Sequence, residues 1–424
     1  MNPAIKFYRL ILRPLQFLAY PIIAIGALVS ARWREGWRER LGFVPKLEKT
    51  SKRRVWVHAA SVGEVETVWP LVKRLAQNFE VVVSTLTPTG KLTAIKKGDA
   101  NACFIFPLDL PKFLSRALER IKPNLVIVAE TEIWPCLIYE LKRRKIPFAF
   151  VNARISDRTF KSYKMLRPFF KTLLSEASLV GAQNVEHQAR FVNLGITEQK
   201  VRVLGNFKLD IEPDALFKRA KELEQELIRF IPHDKQMVVF ASTHKGEESL
   251  LLPVIASIKS KVFCVLVPRH PERANEVARL FESENMSFSL LSSGNSHPEL
   301  LIVDAIGKLL FFYKNALCAF VGGSLVPIGG HNVAEPAALG KPAIFGPHTF
   351  NFREPVNILL NSNAAIAVKD SSELSQAITN FLNNPDSANE MGLRAQKAIE
   401  EHRGATDRTY SAVYGLLEGA LKLP

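Results

Sequence analysis

The chain has 424 residues, 47% of them hydrophobic, and carries a formal charge of +15 from 56 Lys/Arg against 41 Asp/Glu. That length exceeds one ordinary core and suits two domains of about 150–200 residues, and no low-complexity tract or repeat period points to disorder or a solenoid. Four widely spaced cysteines (Cys103, Cys136, Cys264, Cys318) offer neither a disulfide framework nor a C-x-x-C clip, which favours a reducing compartment and argues against a metal site.

The charge is unevenly placed. Residues 1–54 hold twelve Lys/Arg against three acids, which leaves only +6 for the other 370 residues. A nucleic-acid binder more often carries its surplus on the folded domain. Here the surplus brackets "PLQFLAYPIIAIGALVSA", eighteen uncharged residues from Pro14 to Ala31. As a helix this segment would be about 27 Å long, against roughly 30 Å of bilayer hydrocarbon. Its basic start and small residues also suit a cleaved signal peptide. The "RWREGWRER" that follows suits a headgroup interface better. An N-terminal membrane-anchor helix is therefore expected. Pro21 and Gly26 leave a spanning and a monotopic arrangement both open, and the basic cluster from Arg32 to Arg54 would hold the C-terminal bulk on the cytoplasmic side.

From Val55 the chain alternates short β-branched runs with amphipathic stretches. "RVWVHA", "EVVVST", "CFIFPL", "NLVIVAE", "PFAFVNA", "LVGAQN" and "VRVLGN" read as buried strands, with helices such as 64–78 and 111–121 between them. A charged helical stretch then interrupts the pattern. It restarts with "MVVFAST", "VFCVLVPRH", "SFSLLSS", "ELLIVD", "CAFVGGS", "PAIFGP" and "AIAVKD". The expected fold class is α/β, with two Rossmann-like, doubly wound domains facing one another across a cleft. The division is 1–45 for the anchor and basic segment, 46–211 for the first domain and 212–424 for the second, whose last helix can pack back on the first.

Ligands of such sheets bind at the carboxyl ends of strands, so residues just past a strand are the candidates. In "HAASVGEVET", Ser61 and Glu64 form an S-x-x-E capping box, yet Glu64 also lies at a strand-to-helix turn where chemistry is done. "IVAETEIWP" ends an apolar strand in Glu130 and Glu132; one can orient a substrate cation or hydroxyl while the other pairs with an arginine. "RTFKSYKMLRPFFKTLL" interleaves basic and aromatic residues, either an ordinary amphipathic helix or a lipid-facing one. "GNFKLD" places Lys208 either against an anionic group or as a solvated lysine at a hinge. "VLVPRHPER" puts Arg269 after a strand between Pro268 and Pro271, where a guanidinium can clamp a phosphate or simply lie on the surface; His270 reads as a bystander. "VGGSLVPIGGHNVAEPAALGKPAIFGP" pairs Gly322-Gly323 and Gly329-Gly330 ahead of a helix starting near His331 or Asn332, an arrangement suited to a phosphate. Glu335 there can accept hydrogen bonds from ribose hydroxyls or complement the helix dipole. The chain has no G-x-x-x-x-G-K-[ST], D-x-D, G-x-S-x-G or H-E-x-x-H, which removes P-loop, metal-chelating transferase, hydrolase and zincin readings.

Taken together, "HAASVGE", "AETEIWP", "GNFK", "VPRHPER" and "GGSLVPIGGHNVAEPAALGKPAIFGPHTFNF" resemble the 3-deoxy-D-manno-octulosonic acid (Kdo) transferases of Gram-negative bacteria. The resemblance runs from the N-terminal segment nearly to the C-terminus, with motifs of both domains in order. It implies a GT-B fold and transfer of Kdo from CMP-Kdo to a lipid A precursor (lipid IVA), without a metal or other cofactor, at the cytoplasmic face of the inner membrane, whose lipid would be a further partner. It implies that Glu64 is the general base and that Glu130 and Lys208 stabilise the transition state. CMP would lie against Pro268 and Arg269, the loop Ile306, Gly307 and Lys308, and the run Asn332, Val333, Ala334 and Glu335. The rival enzyme reading is another GT-B member that uses a UDP-sugar. A basic nucleic-acid-binding protein would leave the glycine loops unexplained.

Overall fold

Runs of Val, Ile, Phe and Leu without polar alternation suit strands buried on both faces, the condition of a parallel sheet covered by helices. In a computed structural model of the protein, all fourteen runs singled out above form parallel strands, seven in each of two sheets. The structure describes residues 30–419 except 49, 233, 285 and 295–298, together with 12, 14, 17, 18, 20, 21, 25, 26, 28 and 29.

The chain divides into two compact units, Met1–Phe207 with Gly404–Pro424, and Lys208–Arg403. The first holds β1 (Arg54–His58), β2 (Glu80–Thr85), β3 (Ala102–Ile105), β4 (Leu125–Ala129), β5 (Phe148–Ala153), β6 (Leu179–Ala182) and β7 (Val201–Val203), in the order β3-β2-β1-β4-β5-β6-β7. Successive side chains point to opposite faces. Trp56, Val82, Val126 and Phe150 therefore enter one apolar layer, and Val55, Val57, Val81 and Ile127 the other. The helix Ala405–Glu418 seals that second layer with Ala412, Val413 and Leu417.

The second unit holds β8 (Gln236–Thr243), β9 (Val262–Pro268), β10 (Phe288–Leu290), β11 (Leu300–Ile302), β12 (Cys318–Val321), β13 (Ala343–Phe345) and β14 (Ala365–Ala367), in the order β10-β11-β9-β8-β12-β13-β14. In both sheets the first strand is internal and the chain fills one side of it before crossing to the other, with β11 inserting between β9 and β10 in the second. This creates a topological switch point between β1 and β4, and another between β8 and β12. Register places the exits level: His58 is opposite both Ser84 and Val128, and Ala241 is opposite Val321. The loops after these strand pairs must therefore crowd together at one edge of each sheet.

The expected membrane anchor requires correction. Among the described residues no helix is long and apolar enough to cross a membrane. Several positions of the 14–31 segment lie outside the described residues, and the elements that follow it are two four-residue helices, Ala31–Arg34 and Trp37–Arg40. The described helical turns break at Ser30 and again at Gly36, whose φ of +73° is left-handed, so the helices there stay short. Tyr20 meets Phe113 edge to face at 5.4 Å, and Tyr20 and Trp33 join Leu41, Leu108 and Leu110 around Phe113, on the helix Pro111–Ile121. Phe17, Leu18, Ile25, Leu28 and Val29 are exposed. The inner-membrane localisation that rested on an N-terminal anchor is corrected with it.

Candidate active site

The switch point of the first unit gathers carboxylates. Ser61, in extended conformation, caps the helix Val62–Ala76 by accepting from Glu64 N at 3.3 Å. The reciprocal half of the box is displaced by one residue: Glu64 Oε2 accepts from Ala60 N at 2.8 Å, while Oε1 accepts from Ser61 Oγ at 3.3 Å. Glu64 is half-buried. Burial first, and then the charges of Glu130 and Glu132, push its carboxyl up to about 7, against the opposing amide of Ala60.

Glu130 and Glu132 follow β4. Glu130 adopts φ +54°, a left-handed conformation that costs a non-glycine residue about 1 kcal/mol or more. It is held there by Val151 O, which accepts from Glu130 N at 2.9 Å, and by Arg154 Nε, which donates to its carboxylate at 2.9 Å. Arg154 N donates to Thr131 Oγ1 at 3.1 Å, so the ends of β4 and β5 are stitched together. Burial and the charge of Glu130 raise Glu132 as well. Below this edge His58 is fully buried, its Nδ1 2.9 Å from Ser84 Oγ and its ring 4.2 Å from that of Phe106; burial drives it down to about 3, so it is neutral.

The switch point of the second unit is built around anion-accepting groups. Arg269 leaves β9 just after the buried Pro268, and its own N donates to Thr243 O at 3.0 Å. Its exposed guanidinium is felt by His331, His244 and Glu335. Gly322 sits so close to Glu247 Oε2 and to the carbonyls of Ala241 and Ser242 that a Cβ would lie within 2.7–2.9 Å of all three. Only glycine fits there. The loop then doubles back, with Gly329 N and Gly330 N both donating to Gly323 O at 3.1 and 2.8 Å. The helix begins later than expected, at Ala334, because Asn332 turns first: its Oδ1 accepts from Ala334 N at 3.1 Å and its Nδ2 donates to Glu335 Oε1 at 3.2 Å. Val333 and Ala334 are buried, whereas Glu335 is half-buried and raised by that burial.

Two candidates stand apart. Ile306 is 86% exposed, Gly307 has φ +84° and Lys308 Nζ pairs with Glu226. Their loop follows β11, the neighbour of β9, so it leaves the same edge as Arg269. Lys208 opens the second unit in the 3-10 turn Phe207–Leu209. Its Nζ donates to Asn351 O at 3.2 Å and lies 4.7 Å from the Phe352 ring centre. Asn351 in turn binds the glycine loop through its N to Gly329 O and its Nδ2 to Ile328 O, at 3.0 and 3.1 Å.

Sequence reading passed over "STHKGEE" after β8. Glu247 is fully buried and its carboxylate accepts from Gly323 N (2.7 Å), Leu325 N (3.0 Å), Ser324 N (3.1 Å) and His244 N (3.3 Å). It shapes the glycine loop from within. Glu248, 2% exposed, accepts from Thr243 Oγ1 at 3.1 Å and from Arg273 Nη1 at 2.9 Å, tying the exits of β8 and β9. His244 reaches His331. The available signal was position: both glutamates open a helix directly after the central strand.

Among known proteins, the family model described as "3-Deoxy-D-manno-octulosonic-acid transferase (kdotransferase)" matches residues 35–211. A 3-deoxy-D-manno-octulosonic acid transferase of Haemophilus influenzae is 34% identical over 97% of this chain and 98% of its own. One of Chlamydophila psittaci is 30% identical over 92% of each. Among solved structures, a UDP-GlcNAc 2-epimerase from Neisseria meningitidis aligns with a TM-score of 0.60 over 86% of this chain and 100% of its own, at 15% identity, a likeness of fold alone.

Proposed function

The chain belongs to the Kdo transferase family and acts as a Kdo transferase of lipopolysaccharide biosynthesis; on that premise we propose that CMP-Kdo is the donor, a lipid A precursor such as lipid IVA the acceptor, and Glu64 the general base. Family membership displaces the UDP-sugar reading. The observation that carries the assignment of Glu64 is its half-buried carboxylate beside Glu130 and Glu132, raised to about 7 at the β1–β4 switch point. A base poised near the working pH combines availability with proton affinity.

In this reading an acceptor hydroxyl attacks the anomeric carbon of Kdo and gives its proton to Glu64. The bond from that carbon to the phosphate oxygen breaks on the opposite face, its electron pair leaving with CMP. No protein nucleophile is needed, and the anomeric configuration inverts. Arg269 and the backbone amides near Asn332 stabilise the leaving phosphate where its charge develops. Pro268, the loop Ile306-Gly307-Lys308 and the run Asn332-Val333-Ala334-Glu335 hold the nucleotide, with Glu335 accepting from ribose hydroxyls. Glu130, balanced by Arg154, and Lys208 stabilise the transition state.

The test is mass spectrometry of a tetraacyl lipid A precursor incubated with CMP-Kdo and either the wild-type protein or Glu64→Gln. The wild type should add Kdo, and a folded, CMP-binding Glu64→Gln should add none. Equal product from both would return Glu64 to a purely capping role.

A further inference from the structure

Two histidines meet at the carboxyl edge of the second sheet. His244 follows β8 and His331 closes the glycine loop. Their Nε2 atoms are 2.7 Å apart, and their rings are parallel within 1° with centroids 5.0 Å apart. Such a contact is an N–H···N hydrogen bond, so one Nε2 carries the hydrogen and the other presents its lone pair.

The groups facing the pair set its charge. Arg269 and His270 come from the loop after β9, with Arg273 behind them; Glu247 and Glu248 come from the helix Glu247–Ile258. Both oxygens of Glu247 are occupied by backbone amides, and Glu248 is paired with Arg273 at 2.9 Å. These carboxylates are committed. The guanidinium of Arg269 is left as a positive charge that disfavours a second one. Burial, with Arg269, lowers His331 to about 4, and burial lowers His244 too, so the resting pair is neutral. A phosphate beside Arg269 would offset the guanidinium's share of that lowering and add a negative charge beside the pair, against the burial that is its largest cause.

We propose that the His244–His331 pair takes up a proton when a nucleotide phosphate binds beside Arg269: the proton enters at Nδ1 of the histidine whose Nε2 already carries the bridging hydrogen, and that hydrogen is then shared between the two Nε2 atoms as the leaving phosphate gains its second charge. This rests on the reading of Arg269 and the glycine loop as the nucleotide site. During transfer the phosphate passes from one formal negative charge to two as it takes the bonding pair. The proton on the histidines comes from solvent at binding and returns to solvent when CMP leaves, while the acceptor's proton goes to Glu64. The net reaction is unchanged.

The experiment is calorimetric titration of CMP into the full chain at about pH 7.5 in two buffers of different ionisation enthalpy. At that pH free CMP has already lost its second phosphate proton, whose pKa is about 6. The wild type should take up between about 0.5 and 1 proton per CMP bound. His244→Gln and His331→Gln keep a hydrogen-bonding partner for the remaining histidine. Each should bind CMP about 5- to 10-fold more weakly, as expected when a charged hydrogen bond becomes neutral, with uptake near zero. Imidazole ¹⁵N shifts of the wild type should move to imidazolium values on adding CMP, a readout that needs no variant to fold. CMP binding by the wild type without proton uptake, or uptake unchanged in both variants, would overturn the pair. A folded wild type that binds no CMP would overturn the nucleotide reading itself, and the pair with it.

Discussion

Glu64 should titrate near neutrality, and Glu132→Gln should move that titration downward. Burial is the largest cause of the raised value, with the charges of Glu130 and Glu132 adding to it and the Ala60 amide and Ser61 hydroxyl opposing it. The interval from 4.5 to about 7 corresponds to roughly 3 kcal/mol of preference for the neutral carboxyl. Glu132 is one of the two like charges that raise it, so removing that charge lowers the midpoint. A ¹³C titration of glutamate side chains, assigned with Glu64→Gln, should therefore give a midpoint near 7 in the wild type. It should fall in Glu132→Gln, where burial and Glu130 alone still hold it above the ordinary value. The acid limb of turnover should follow the same shift. Stability carries the same information with a definite sign. Because the folded value is raised, this carboxyl's contribution is fully present below its unfolded pKa and is lost as pH rises through the folded one. Glu64→Gln should then stabilise the first unit at about pH 8 by at most about 3 kcal/mol and leave it unchanged near pH 4. A wild-type midpoint at the ordinary glutamate value would refute the burial argument. An unmoved midpoint in Glu132→Gln would refute the charge coupling.

Glu247→Gln should not behave as a conservative change: both oxygens accept from backbone amides, so the introduced NH2 would face donors. A loss of about 2–4 kcal/mol is expected in denaturant unfolding of the second unit. Lys208→Met keeps an apolar stem over Phe352 but removes the donor to Asn351 O. Unfolding should change by less than about 1 kcal/mol while turnover falls about 100-fold or more, as for loss of a transition-state donor.

The strands were legible because a strand buried on both faces leaves an uninterrupted apolar run bounded by polar or turn residues, as in "NLVIVAE" and "VFCVLVP". Carboxylates past β1 and β4 were legible for the same reason: once the strand is placed, Glu64 and Glu130 sit at its exit. What escaped the sequence are contacts made across long stretches of chain. Glu247 meets Gly323 from 76 residues away, His244 meets His331 from 87, and Lys208 meets Asn351 from 143. Each local motif looked complete without its partner. The anchor expectation failed for another reason: hydropathy counts apolar residues, whereas a span needs one continuous helix, and the described turns break at Ser30 and Gly36.

Both sheets have a switch point beside their first strand, and the two edges there differ in chemistry. In each unit the internal first strand and the strand that begins the other wing send their loops to a common edge, and the chain's composition there decides the role. At β1–β4 the exits carry Glu64, Glu130 and Glu132 against Arg154, and burial beside like charges makes at least one carboxyl reluctant to ionise. At β8–β12 the acids point inward instead. Glu247 and Glu248 are spent on the amides of the glycine loop, Thr243 and Arg273, which leaves Arg269 and two neutral histidines at the edge. An edge of the first kind is suited to taking a proton, and an edge of the second kind to holding an anion. In the function proposed above, transfer to a hydroxyl draws on both, with Glu64 taking the proton and Arg269 meeting the leaving phosphate. A carboxylate placed beside Arg269 would be held nearer its ordinary value and would compete with the phosphate for the guanidinium.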